Sequence, residues 1–154
     1  MAALSTDYIV AGLPPLVFGE RAPMAYADFA ALAPHALERA LAKWADLETQ
    51  LKNAVAEARG GAKYVRAAHG CSLYWKKRVT DAFAETDVAR RDELLDRVWW
   101  DAAGELTAVA DPLGEGALAT YAVRLKLALK RGAIDAAAGD AAFTRLTAET
   151  QITF

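Results

Sequence analysis

The chain has 154 residues and a formal net charge of −2, and 55% of its residues are hydrophobic. This length predicts one domain, spanning 1–154, that buries enough surface to be stable without a metal or a disulfide. Its one cysteine, Cys71, excludes an internal disulfide and favours a reducing compartment. No stretch is apolar enough for a transmembrane helix, and no secretion signal is evident. The sequence therefore predicts a cytoplasmic protein.

Residues 1–22 are predicted to form an extended N-terminal arm. Residues 8–10 read Tyr-Ile-Val, which favours an extended backbone. Pro14 and Pro15 lack amide donors, and each disfavours a helical conformation in the residue before it. The arm is too apolar for a free tail, so we expect it to pack along the helices of the remaining chain.

Residues 23–148 are predicted to form a mainly all-α body, an antiparallel bundle of about five helices. A short first helix is expected over 23–32, and Pro34 suits the first turn of the next helix. Apolar residues then recur at three- and four-residue steps, which is typical of amphipathic helices. These stripes cover residues 37–58, 65–83, 88–102 and 117–129.

Glycine, proline and capping residues predict where these helices end. Gly60 and Gly61 are expected to end or bend the second helix. Thr86 is a candidate N-cap for the stripe that follows it, and residues 111–114, Asp-Pro-Leu-Gly, predict a turn.

The C-terminal region is predicted to form a separate final helix. Lys130, Arg131 and Gly132 are typical of a helix C-terminus, and Asp135 is a candidate cap for the helix that follows. Residues 152–154 are apolar and are expected to be extended, close to the N-terminal arm.

Few residues point to metal binding or catalysis. His69 and Cys71 lie close together, but the spacing selects no third ligand. Neither His35 nor His69 follows a glutamate by three positions, which excludes the Glu-x-x-His motif of di-metal bundles. Ser72 would share a helical face with His69, but no nearby acid would orient the imidazole. We therefore expect no metal, no cofactor and no enzyme activity.

Charge is distributed in two opposite blocks. Residues 59–80 carry six basic residues and no acid, whereas 81–111 carry nine acids and three arginines. The two blocks are expected to attract each other when neighbouring helices pack. Tyrosine and tryptophan interleave with the basic residues, a pattern that would suit a nucleic-acid contact, but the acidic block and the pI of about 5.7 favour intramolecular pairing. The basic residues are Arg59, Lys63, Arg66, Lys76, Lys77 and Arg78.

The chain contains four tryptophans, of which Trp99 and Trp100 are adjacent. Neighbouring side chains on a helix diverge by about 100°, so both rings are buried only if two faces are covered. The second face of this helix would be covered either by the N-terminal arm or by a partner protein. Large aromatic side chains are favoured anchors in protein interfaces.

Both ends of the chain resemble a known family. Residues 8–16, Tyr-Ile-Val-Ala-Gly-Leu-Pro-Pro-Leu, and a following helix with Phe29 resemble the opening of a bacterial family called domain of unknown function 2764. Residues 118–127, Leu-Ala-Thr-Tyr-Ala-Val-Arg-Leu-Lys-Leu, resemble its second signature. That signature continues here with Arg131, Asp135, Gly139 and Phe143.

The resemblance implies an association with V/A-type rotary ATPases. The family is distantly similar to the helical C/d subunit, which seats the central stalk on the membrane ring. This chain is then expected to be a non-catalytic accessory or stalk-like subunit that contacts other ATPase subunits, with self-association as a further possibility. Trp99 and Trp100 would anchor the partner, and the six basic residues would steer its acidic surface.

Two other functions remain open from the sequence. A small enzyme would use polar groups where the arm meets the helices, such as Asp7, Tyr8, Glu20 and Arg21. A nucleic-acid-binding helical module would use the basic block between Arg59 and Arg78.

Overall fold

The computed structural model describes the backbone of residues 4–152 and the side chains of residues 4–148. Over that range the chain contains helices and no strand, which confirms the prediction of an all-α fold. Single 3-10 turns lie at Ala62–Tyr64 and Gly104–Leu106. The α-helices are α1 (Thr6–Ala11), α2 (Tyr26–Ala30), α3 (Pro34–Ala58), α4 (Leu73–Phe83), α5 (Val88–Ala103) and α6 (Glu115–Ile152).

The four longest helices form the bundle, and α5 runs antiparallel to both α4 and α6. Arg78 of α4 forms an ion pair with Asp101 of α5 at 3.0 Å, and the indole of Trp75 donates to Glu105 in the 3-10 turn that follows α5 at 2.8 Å. The first of these contacts joins the basic and acidic blocks, as the charge distribution predicts. Toward α6, the carbonyls of Trp100 and Ala103 on α5 accept hydrogen bonds from the side chains of Arg124 and Thr120, respectively.

Helices α3 and α4, by contrast, run in the same direction. Ser72 at the start of α4 donates its amide to Gln50, and Lys76, one turn along α4, pairs with Glu57, about two turns further along α3. The antiparallel arrangement predicted for the bundle is wrong for α3 and α6, whose starts are joined by the Arg39–Glu115 ion pair, and it is also wrong for α3 and α4. The reason is the long connection between the two helices, which returns the chain to the middle of α3 before α4 begins.

This connection also replaces the helix expected from residue 65 onward, a prediction that was wrong for residues 65–72. Helix α3 ends at Ala58, and Gly60, two residues later, has a φ of 78° that is strained for any residue with a side chain. Polar side chains of α3 then satisfy the backbone of the returning loop. Asn53 bonds both the amide and the carbonyl of Arg66, and Asp46 accepts from the amide of His69 at 2.7 Å.

The N-terminal arm was predicted to be extended, but residues 6–11 form α1. Ile9 is buried against Phe29 and α6, and this burial outweighs the weak strand preference of the Tyr-Ile-Val run. The expected packing against the helices is confirmed. The hydroxyl of Tyr121 on α6 donates to the carbonyl of Pro14 at 2.8 Å.

The C-terminal region also differs from the prediction. Helix α6 continues through Gly132, so Asp135 caps no separate helix and Ile152 is helical rather than extended. Alanine has the highest helix propensity of all residues, and the alanines after Gly132 offset the cost of Gly132 and Gly139. Thr153 and Phe154 lie outside the described residues.

Two of the predicted boundaries are confirmed, and one is shifted. Pro34 occupies the first turn of α3, and Gly114 donates to the carbonyl of Asp111 in the predicted turn. The N-cap of α5 is Asp87 rather than Thr86, because the Asp87 carboxylate accepts from the amide of Ala89.

Two apolar clusters form the core. One lies between α3, α4, α5 and α6, and the other joins α1, α2 and the arm to α3 and α6. No helix within residues 4–152 is long and apolar enough to cross a membrane. The largest fully buried side chains are Phe29, Leu51, Val79, Val98, Leu118 and Leu125.

Candidate functional site

Trp100 is part of the core. It is 6% exposed, and Phe18 of the N-terminal arm packs edge-on against its ring with centroids 5.5 Å apart. Arg124 of α6 lies over the same indole and donates to the Trp100 carbonyl at 3.0 Å. Burial lowers the pKa of this guanidinium. The N-terminal arm therefore covers the second face of α5, and the Trp100 ring is not accessible to a partner in this structure.

Trp99 is half-buried and lines a surface groove of about 410 Å³ between α3 and α6. The position follows from the helix geometry, because the ring diverges from that of Trp100 and emerges on the side of α5 that faces α3. Apolar side chains and lysine stems make up most of the wall. The lining residues are Leu41, Trp44, Ala45 and Glu48 of α3, Trp99 of α5, and Ala122, Val123, Lys126, Leu127 and Lys130 of α6.

A second hollow of about 280 Å³ continues this groove along α3. The two share Trp99, Leu127 and Lys130, so the Trp99 ring lies at their junction. Val55 and Arg59 line the far end. We refer to both hollows together as the Trp99 groove.

Charged groups border the Trp99 groove. Glu48 on one side accepts from the indole of Trp44 at 2.6 Å and pairs with Lys52. On the other side Lys130 pairs with the buried Asp96 at 2.9 Å. Lys126 is exposed, and its ammonium lies 4.6 Å from the ring centroid of Tyr26.

The α4 part of the basic block is engaged within the chain. Lys76 pairs with Glu57, which raises the pKa of the lysine, and Lys77 pairs with Asp81 at 2.8 Å. Arg78 is half-buried between Asp101 and the Tyr74 and Trp75 rings. These contacts leave Lys76 and Lys77 at the surface as parts of ion pairs, which weakens their predicted steering role.

The rest of the basic block lies near the end of α3. Arg59 contacts the Phe83 ring, and Lys63 lies over Tyr64 in the 3-10 turn. Arg59 and Arg66 line a common shallow groove of about 630 Å³. The structure therefore brings Arg59 close to Trp99 and leaves the other five basic residues outside the Trp99 groove.

The residues of the enzyme alternative are not brought to one site. Glu20 and Arg21 line a groove of about 640 Å³ beside α6, whereas Asp7 and Tyr8 are exposed on α1 and do not line it. The Ser5 side chain is the main cause of a lowered pKa of Asp7. A carboxylate with a lowered pKa in solvent lacks the burial that tunes a general acid or base.

The histidine and cysteine neighbourhood has a structural explanation. His69 and Cys71 are exposed in the loop that returns along α3, and Ser72 caps α4 by accepting from the amide of Trp75. Within the described part of the chain, no cluster of three His, Cys, Asp or Glu side chains is arranged to hold a metal ion.

Sequence reasoning missed the residues that border the Trp99 groove, above all Glu48, Lys126 and Lys130. The signal was present in part, because Lys126 and Lys130 are four residues apart and so share one face of a helix. This face becomes part of a groove only because α3 packs beside it, and the sequence does not show that α3 is its neighbour.

A scan of protein-family models finds no match to this chain, and neither a search of curated proteins nor one of solved structures finds a match. The resemblance of the two chain ends to domain of unknown function 2764 therefore stays a prediction.

Proposed function

We propose that this protein is a non-catalytic accessory subunit that binds a helical segment of a V/A-type rotary ATPase in the Trp99 groove. The observation that carries the proposal is the half-buried Trp99 ring at the centre of an elongated apolar groove. The named complex rests on the resemblance of residues 8–16 and 118–127 to the ATPase-associated family.

The shape of the groove supports a helix as its occupant. Its walls are the parallel helices α3 and α6, and α5 closes the floor through Trp99 and Leu95. An amphipathic helix places apolar anchors at three- and four-residue spacing into such a groove. Trp99, with a large ring already partly desolvated by its neighbours, is suited to receive one of these anchors.

Charges of both signs border the groove, with Arg59, Lys126 and Lys130 balanced by Glu48, Asp92 and Asp96. Lys126 lies on the α6 side with its ammonium at the surface, and Arg59 lies at the far end. Carboxylates on the partner helix would pair with these cations, mainly raising the association rate and fixing the orientation. In this proposal Arg59 and Lys126 are the charges that steer the partner. The ion pairs of Lys76, Lys77 and Arg78 instead stabilise the fold.

Co-purification at native expression level tests the proposal. The wild-type chain is expected to recover V/A-type ATPase subunits from cell membranes and cytoplasm. The variant Trp99→Ala is expected to lose most of this recovery, because removing a central aromatic anchor weakens binding by about 30-fold.

Two further variants make the result specific. Tyr8→Ala removes an exposed aromatic ring outside the Trp99 groove and should leave recovery unchanged. Lys126→Glu reverses a charge beside the groove and should reduce recovery most strongly at low salt. Absence of ATPase subunits from the wild-type sample would contradict the named partner, and equal recovery by Trp99→Ala would contradict the groove.

A further inference from the structure

The two halves of the basic block differ in whether they have acidic partners. All three basic residues of α4 pair with carboxylates of this chain. Within residues 4–148, by contrast, no ion pair involves Arg59, Lys63 or Arg66. The fold therefore neutralises the α4 half of the block and leaves the half near the end of α3 able to bind a negatively charged group.

Two of these arginines line one concave surface, the groove of about 630 Å³ beside α3. We call it the basic groove. Its third cation is Lys52, and no acidic side chain among the described residues lines it. Its volume falls within the range of about 300–1,000 Å³ that is usual for small-molecule sites. The other lining residues are Thr49, Asn53, Val55, Ala56, Gly61 and Tyr64.

The loop after α3 holds Arg66 at this groove by its backbone alone. The side chain of Asn53 accepts from the Arg66 amide at 2.9 Å and donates to the Arg66 carbonyl at 2.7 Å. These bonds fix the position of the residue and use no atom of its guanidinium. Arg66 thus lies level with residue 53 of α3, whereas Arg59 lies about 9 Å further along the helix axis.

The dipole of α3 accounts for only part of this charge. The free carbonyls at a helix C-terminus favour a cation in or beside the last turn, which fits Arg59, the residue that follows α3. Lys52 and Arg66 lie about one and a half turns before that end, beyond the reach of this effect. Lys52 pairs with Glu48 at 2.7 Å, so the charge without a counterpart is that of the two arginines.

Carboxylates limit the length of the positive surface. Glu48 lies one turn before Lys52 on α3, and Asp92 lines the neighbouring hollow that also contains Arg59. A long nucleic-acid strand that extended past either end would meet these negative charges. The basic groove therefore favours a compact anion with several charges over an extended one.

We propose that the basic groove binds a compact polyphosphate, a chain of linked phosphate groups supplied either by inorganic polyphosphate or by a nucleoside triphosphate. The guanidinium groups of Arg59 and Arg66 match phosphate oxygens in bidentate geometry, and Lys52 adds a point charge. Tyr64, which is 68% exposed, lies at the edge of the groove and offers its ring to a nucleotide base. The Tyr64 ring packs against Gly61, where an added Cβ would approach the ring to 3.0 Å.

Isothermal titration calorimetry of the full chain with tripolyphosphate, without divalent cations, tests the proposal. One site per chain is expected. Arg66→Gln should raise the dissociation constant about tenfold, because a charge-assisted pair of hydrogen bonds is lost while the backbone bonds to Asn53 remain. Arg59→Gln is expected to do the same. Arg145→Gln is the matched control, because it removes the same charge from an exposed position on α6 and should leave the dissociation constant unchanged.

Two further measurements locate the site and identify the source of the phosphates. Tripolyphosphate should shift the side-chain amide signals of Asn53 in NMR spectra, since these protons bond the Arg66 carbonyl at the groove. Equal affinities for ATP and tripolyphosphate would support the proposal and assign an inorganic source. Tighter binding of ATP that Tyr64→Ala abolishes would support it and assign a nucleotide.

Four results would overturn the proposal: no binding at about 1 mM tripolyphosphate, equal weakening by Arg66→Gln and Arg145→Gln, orthophosphate binding as tightly as tripolyphosphate, or tighter binding of a single strand of about ten nucleotides. Circular dichroism of each variant shows whether the helices are retained. Because the titrations use the isolated chain, their failure would leave the proposed ATPase partner untested by these data and still open to the co-purification experiment.

Discussion

Trp99 and Trp100 are adjacent in the chain but differ in environment. Trp100 is enclosed by Phe18 and Arg124, whereas Trp99 has one face in the groove. Trp100→Ala should lower the free energy of unfolding by about 3–5 kcal/mol, the usual cost of deleting a buried large aromatic side chain. Trp99→Ala should cost about 1–2 kcal/mol, because less apolar area is lost. Urea unfolding measures both values, and equal losses would contradict this division of roles.

The sequence alone could not assign these roles to the two rings. Residue periodicity fixes the angle between Trp99 and Trp100 on α5, and it therefore predicted that one cover must come from elsewhere. Which ring the arm covers depends on the contact of Phe18 with Trp100, which joins residues more than eighty positions apart. Local patterns carry no information about such a contact.

At the scale of elements, the loop over residues 65–72 is held by α3 through side chains rather than through a strand or a helix. Asp46 accepts from the His69 amide and from Gln50, and the His69 bond is the main reason that the pKa of Asp46 is lowered. A lowered folded-state pKa stabilises the fold above the ordinary aspartate pKa, and this contribution is lost as the pH falls through the lowered value.

This linkage gives a prediction for acid pH. The His69 amide shift in NMR spectra should titrate with a midpoint below the ordinary aspartate pKa, as the carboxylate of Asp46 is protonated and the bond weakens. Asp46→Asn should remove the titration and leave the amide shift flat over the same range. A midpoint at or above the ordinary value would show that the loop is not held in this way.

Helix boundaries show which sequence signals were decisive. The amphipathic stripes of α3, α5 and the first half of α6 were predicted correctly because their burial is periodic. The helix expected over residues 65–72 failed because Val65 and Ala68 matched the period by chance, while the polar face of α3 offered the loop better hydrogen-bond partners. The final helix boundary failed because Gly132 and Asp135 are weak stop signals inside an alanine-rich run.

At the scale of the whole molecule, ion pairs between basic and acidic side chains join the helices of the bundle. Arg78 joins α4 to Asp101 of α5, and Lys130 and Arg131 of α6 both reach the buried Asp96. The fold class was predictable, since almost every stretch is helical in pattern. The parallel relation of α3 to α4 was not, because it depends on the path of the long connection between them.

The most direct test of the account places a photo-crosslinking amino acid at Ala45, at the surface of the Trp99 groove, in cells that express the chain at native level. Mass spectrometry of the crosslinked product should identify a helical segment of a V/A-type ATPase subunit, and the same probe at Thr80, on the exposed side of α4, should not. Crosslinks that are absent at Ala45, or equal at the two positions, would contradict the claim that the groove is the partner-binding surface.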